Sequence, residues 1–177
     1  MVEDGYLVIA DISGYSQYLR DSELDHARES LSDLLNVLID NTRSPLRIVE
    51  VEGDAVFSYA PVAEVRTSES LRGMIDEAYV AFRRALNLMV INTTCTCKAC
   101  RLLPTLDLKF FVHYGSYARQ DVRGHEKLVG SDVNLIHRLL KNSVAEATGF
   151  EAYAAYTGPA VDELELDRSV EGFVTHT

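Results

Sequence analysis

The sequence predicts an α+β fold, a ferredoxin-like sandwich in which two long helices cover one face of a mainly antiparallel sheet. Three observations predict it. Short apolar runs of strand length alternate with two stretches of helical periodicity. Two of those runs flank a Gly-Asp turn, so they pair antiparallel. No repeat, low-complexity tract or linker divides the 177 residues, so one domain over 1–177 is the simplest organisation. A domain near this size buries roughly 70% of its unfolded surface, enough for a sizeable core.

The elements follow in order. Residues 6–10, Tyr-Leu-Val-Ile-Ala, form the continuous apolar run of a central buried strand. A helix is expected from about residue 22, where Leu31, Leu34, Leu35 and Leu38 fall on one face. Arg47–Glu52 and 55–59 are strand-like runs around Gly53-Asp54, and Pro61 closes that hairpin. A second long helix, 70–91, carries Leu71, Ile75, Ala78, Phe82, Leu86 and Met89 along one side. A cysteine-rich insert spans 92–104. Beyond it come a strand at 106–114, a helix at 131–142 and a short strand at 152–156.

Charge and composition narrow the function. A formal charge of −10 argues against a nucleic-acid binder, which presents a basic stripe to the phosphate backbone. Any phosphate site must therefore be local. No stretch approaches the roughly 20 apolar residues of a membrane span, and the start, MVEDGYLV, lacks the charged and apolar regions of a signal peptide. The expected setting is cytoplasmic, with neither nucleic acid nor membrane as partner.

Four residues suggest phosphate chemistry. Asp11 ends the first strand and Asp54 sits in the hairpin turn, where two carboxylates can converge on a hard divalent cation. Asn134 and Arg138 are four apart, so a helix points both the same way, as a fork for a sugar oxygen and a phosphoryl charge. Taken singly, Asp54 is an ordinary turn former, Asp11 a strand terminator and Arg138 a surface arginine. Together they favour a working or vestigial nucleotide site.

These segments resemble the catalytic domain of class III nucleotidyl (adenylate/guanylate) cyclases. The likeness rests on Asp11-Ile12-Ser13-Gly14-Tyr15-Ser16 after an apolar strand, Gly53-Asp54 in a hairpin, Phe110 to Gly115 as a strand ending in a turn, and Gly130-x-x-Val133-Asn134-x-x-x-Arg138 opening a helix. It covers roughly residues 6–157, and the CxCxxC insert beside the run HRLLKN is similar to a small group of bacterial cyclase-like proteins. The resemblance implies the cyclase homology fold and conversion of a nucleoside triphosphate to a 3′,5′-cyclic nucleotide and pyrophosphate. It implies two Mg or Mn ions held by Asp11, Asp54 and the Ile12 carbonyl, with Asn134 and Arg138 as catalytic residues supplied by the partner of a homodimer. It places base selection at Glu50, which suits guanine, and at Lys127, which matches neither the adenylyl nor the guanylyl pattern. The family's polyphosphate-binding lysine lies on a late strand, and here Lys127, Lys141 or Arg123 would have to stand in for it. The alternative is a catalytically inactive nucleotide- or metal-binding module, acting as a sensor or dimerisation unit.

The insert Cys95-Thr96-Cys97-Lys98-Ala99-Cys100 has no counterpart in ordinary cyclase domains. Three clustered thiols in a reducing compartment point to a structural metal, with zinc first and iron–sulfur or redox chemistry second. A fourth ligand would come from His26, His113, His125, His137 or His176, or from a second protomer; an open position is the alternative. His113 and His137 are most simply structural.

Overall fold

A computed structural model describes residues 1–65, 67–170 and 172–175. The first strand, β1 (Val2–Ser13), is the centre of the sheet because it is buried on both sides. Its alternation splits the interior in two. Tyr6, Val8, Ala10 and Ile12 face the larger core, and Leu7 and Ile9 face the smaller one on the opposite side.

Helices α1 (Tyr15–Asp21) and α2 (Leu24–Thr42) follow, then the hairpin β2 (Arg47–Glu52) and β3 (Ala55–Pro61) and the long α3 (Ser68–Asn92). Next come α4 (Lys98–Leu102), β4 (Asp107–Val122), β5 (His125–Val129), α5 (Ser131–Leu139), α6 (Val144–Thr148), β6 (Tyr153–Tyr156) and α7 (Gly158–Glu163). The sheet has six strands in the order β2-β3-β1-β4-β5, with β6 parallel to β4 and every other pairing antiparallel. The expected α+β, mainly antiparallel class is the observed one. α2 and α3 bury Leu31, Leu34, Leu38, Leu71, Phe82 and Leu86 against the larger core, while α5 crosses the other face on Val133 and Ile136. Among the described residues no helix is long and apolar enough to cross a membrane.

Two details differ from the sequence expectation. The helix expected from about residue 22 is α2, and a short helix absent from that expectation, α1, precedes it. Gly14 adopts φ 84°, which lets the chain leave β1 directly into α1, and Ser22 is extended, so α2 starts afresh at Leu24. Periodicity missed α1 because its only buried residue is Tyr18. The strand expected at 106–114 runs on to Val122 and returns as β5 through Arg123 and Gly124, both with positive φ. Apart from the buried Tyr117 that extension is mostly polar and exposed, so it carries little apolar signal. It nevertheless curls back over the smaller core, where the Tyr59 hydroxyl donates to Glu126 Oε1 at 2.8 Å.

Two glycines give a stability test of opposite sign. A Cβ at Gly5 would lie 2.3 Å from the Ala60 carbonyl oxygen on the paired strand, whereas one at Gly73, inside α3, meets nothing within 4 Å. In urea unfolding, Gly5→Ala should therefore destabilise by about 1–3 kcal/mol or more. Gly73→Ala should stabilise by about 0.5–1 kcal/mol, because alanine loses less backbone entropy in a helix. Equal and small effects at both positions would contradict the β1–β3 packing.

Candidate functional site

Asp11 is the last residue of β1 to pair with β3, opposite Ala55, and on its other side it stands opposite Lys109 of β4. Alternation puts its side chain with Leu7 and Ile9, on the face that α5 covers. Asp54 occupies the β2–β3 turn, and its carbonyl accepts from the Ile12 N–H at 3.2 Å. That bond ties the hairpin turn to the end of β1. The two carboxyl groups, both half-buried, come close enough to share a hydrogen bond in which a protonated Asp54 donates to Asp11.

The electrostatics follow from that closeness. Burial, and then the charge of Asp11, push the Asp54 carboxyl up to about 6. Burial raises Asp11 as well, while Lys109 and the hydrogen bond from Asp54 pull it the other way. Lys109, whose ammonium lies 5.6 Å from the centre of the Tyr153 ring, was not singled out from the sequence. Only the β1–β4 register reveals it, since directly opposed residues on neighbouring strands share a face.

Glu50 reaches this face because of a bulge between Ile48 and Glu50, after which Glu50 stands opposite Phe57. Its carboxylate lies 3.9 Å from the Lys127 ammonium, carried over by the curl of β4 and β5. The two residues expected to select the base are thus neighbours. Asn134 and Arg138 lie together on the exposed side of α5, opposite the buried Val133 and Ile136. Among the described residues, no hydrogen bond or ion pair joins either of them to Asp11 or Asp54.

The insert gathers a second cluster. His26, in the first turn of α2, places its Nδ1 3.2 Å from Cys97 Sγ and 3.7 Å from Cys95 Sγ. One ligand atom from each of His26, Cys95, Cys97 and Cys100 lies within 4.8 Å of the others. The remaining candidates are elsewhere. His113 is buried on Thr157 Oγ1 at 2.8 Å, with Asp132 Oδ1 at 3.4 Å from its Nε2; His137 packs edge-on against Phe57 at 4.7 Å. His125 begins β5, and His176 lies outside the described residues. Sequence spacing left the histidine open because the contact spans 71 residues.

Residues 31–148, some two thirds of the chain, match the family described as "Protein of unknown function (DUF2652)". The chain belongs to that family. It is 33% identical over 114 residues to "Uncharacterized protein Rv2561/Rv2562" of Mycobacterium tuberculosis, covering 64% of this chain and 52% of that protein. The chain therefore spans about half the length of this relative. Among solved structures it is similar to the guanylyl cyclase Cya2, with a TM-score of 0.71 and 15% identity over 97% of this chain and 83% of that one. A bacterial light-regulated adenylyl cyclase matches with a TM-score of 0.66 and 12% identity, over 92% of this chain and 45% of that one. At such identities the likeness shows the fold, which is that of a class III cyclase domain.

Proposed function

We propose that this chain is a class III nucleotidyl cyclase that converts a nucleoside triphosphate into a 3′,5′-cyclic nucleotide and pyrophosphate at sites shared by two copies. The observation that carries the reading is the meeting of the Asp11 and Asp54 carboxyl groups, brought from a strand end and a hairpin turn onto the sheet face that also bears Glu50. Two half-buried carboxylates whose proton affinity burial raises, Asp54's further by the charge of Asp11, are short of positive charge, and Lys109 is a cation acting on both. An all-oxygen donor set of this kind suits Mg²⁺ or Mn²⁺, which take carboxylates together with substrate phosphates. Asp11 and Asp54 would hold the ions, with the Ile12 carbonyl beside them. Bound there, such ions lower the pKa of the ribose 3′-hydroxyl and neutralise charge on the departing polyphosphate.

The chain's own side chains do the rest. In the reaction the 3′-oxygen, having lost its proton to solvent, forms a bond to the α-phosphorus as the bond to pyrophosphate breaks. Arg138 faces the charge that develops on the α-phosphoryl oxygens, and Asn134 orients the ribose. Both are exposed on α5 and, among the described residues, make no hydrogen bond or ion pair with the aspartates of their own chain, and in this reading a two-fold homodimer supplies them from the partner. Glu50 accepts from the N1 and N2 donors of guanine, with Lys127 beside it to balance the charge.

The test is direct. Purified chain is incubated with Mn²⁺ and either ATP or GTP, and the products are resolved by mass. Cyclic nucleotide and pyrophosphate in equal amounts are the expected products. Nucleotide binding with no product above blank from either substrate, in a sample shown to be dimeric, would replace this reading with that of a binding module.

A further inference from the structure

We infer that His26, Cys95, Cys97 and Cys100 form a closed four-ligand zinc site that staples the cysteine insert to the start of α2. The staple is structural rather than catalytic, and it rests on no property of the aspartate site.

Distances carry the first step. A tetrahedral ion with Zn–S near 2.3 Å and Zn–N near 2.0–2.1 Å sets sulfurs about 3.8 Å apart and a nitrogen about 3.5 Å from each sulfur. His26 Nδ1 lies 3.2 Å from Cys97 Sγ and 3.7 Å from Cys95 Sγ, on either side of that edge length. All four ligand atoms fall within 4.8 Å of one another, so small rotamer adjustments close the shell.

Donors around the sulfurs supply a second argument. The Cys97 N–H points at Cys95 Sγ at 3.5 Å, the Cys100 N–H at Cys97 Sγ at 3.4 Å, and the Thr93 hydroxyl at Cys100 Sγ at 3.5 Å. Each of the three sulfurs thus has a donor, an arrangement that orients ligands and spreads the negative charge of a thiolate-rich shell. Three soft sulfurs and one imidazole select zinc over the hard ions proposed for the aspartates. With four protein ligands there is no open position for water or substrate, which is the mark of a structural site.

Position gives the role. His26 and Glu23 lie at the elbow between α1 and α2, and Glu23 Oε2 accepts from the Ala99 N–H of α4 at 3.0 Å. α1 itself leaves β1 only three residues beyond Asp11, at Gly14. The ion therefore closes a long loop and fastens the segment that runs from the end of β1 to the insert between α3 and β4. Its uptake releases the thiol protons to solvent, so affinity falls in acid.

The experiment uses the full chain purified under reducing conditions. Elemental analysis and native mass spectrometry should find one zinc per chain, and Co²⁺ exchanged into the site should show the thiolate charge-transfer and d–d bands of a tetrahedral centre. His26→Ala, on an exposed helix surface, should bind zinc roughly a hundredfold more weakly, whereas His26→Cys should keep it by supplying a fourth thiolate. Stripping the wild type with a chelator should lower Tm by several degrees, restored by zinc alone and not by Mg²⁺ or Mn²⁺. Cys97→Ser should lose the cobalt charge-transfer bands, and if it fails to fold the two His26 variants still decide the matter. A chain that carries iron, or carries no metal and gives no cobalt spectrum, overturns the proposal, as does wild-type zinc affinity in His26→Ala.

Discussion

Asp54→Ala should abolish metal-dependent cyclic nucleotide formation while leaving the chain folded. The carboxylate holds the ions in every state of the reaction, so its loss removes binding and turnover together. Its position in a β-turn, half-buried and outside both apolar cores, makes a collapse of the fold the wrong explanation. Far-ultraviolet circular dichroism checks the fold and product mass checks the activity. Equal, low yield from wild type and variant would assign the activity to a contaminant. The same carboxyl predicts a pH effect whose sign is fixed. Its folded-state pKa, about 6, lies above the ordinary 3.8, so the native chain holds this proton more tightly than the unfolded one. The stability it contributes is full at acid pH and is lost as the pH rises through about 6. A divalent cation competes with that proton, so Mn²⁺ should raise Tm more at about pH 7.5 than at about pH 5. In Asp54→Asn both the carboxyl's own pH dependence and most of the cation effect should disappear.

How much of this was legible in the sequence depends on the distance over which each signal acts. The β2–β3 hairpin was readable because Gly53-Asp54 sits between two apolar runs, a signal contained in a dozen residues. α3 was readable because six apolar residues keep one face over its length. α1 and β5 were not, since one buries only Tyr18 and the other only Leu128, and both are shaped by glycines that turn the chain rather than by apolar period. At the candidate site the aspartates stood out by residue type and order. Lys109 did not, because its neighbourhood is created by a pairing between β1 and β4 almost a hundred residues apart in the chain. His26 was one of five histidines, and only the packing of α2 on the insert separates it from the others.

Mixing two inactive variants should restore activity if the site is shared between copies. Arg138→Ala alone should lower turnover by on the order of a hundredfold to a thousandfold while changing nucleotide affinity far less, because a guanidinium aimed at developing charge acts mainly in the transition state. Asp54→Ala alone should be inactive. In a two-fold dimer each site takes its aspartates from one copy and its Asn134 and Arg138 from the other. A heterodimer of the two variants therefore contains one site with both defects and one with neither. Equal mixing with free exchange makes half of the dimers heterodimers, so activity should return to roughly a quarter of wild type per chain. The rise should depend on total protein concentration and should be absent when both substitutions are placed on one chain and mixed with neither single variant. No rescue on mixing, with exchange demonstrated by mass, would mean that Arg138 serves the aspartates of its own chain. The exposed Asn134/Arg138 face of α5 would then need another explanation.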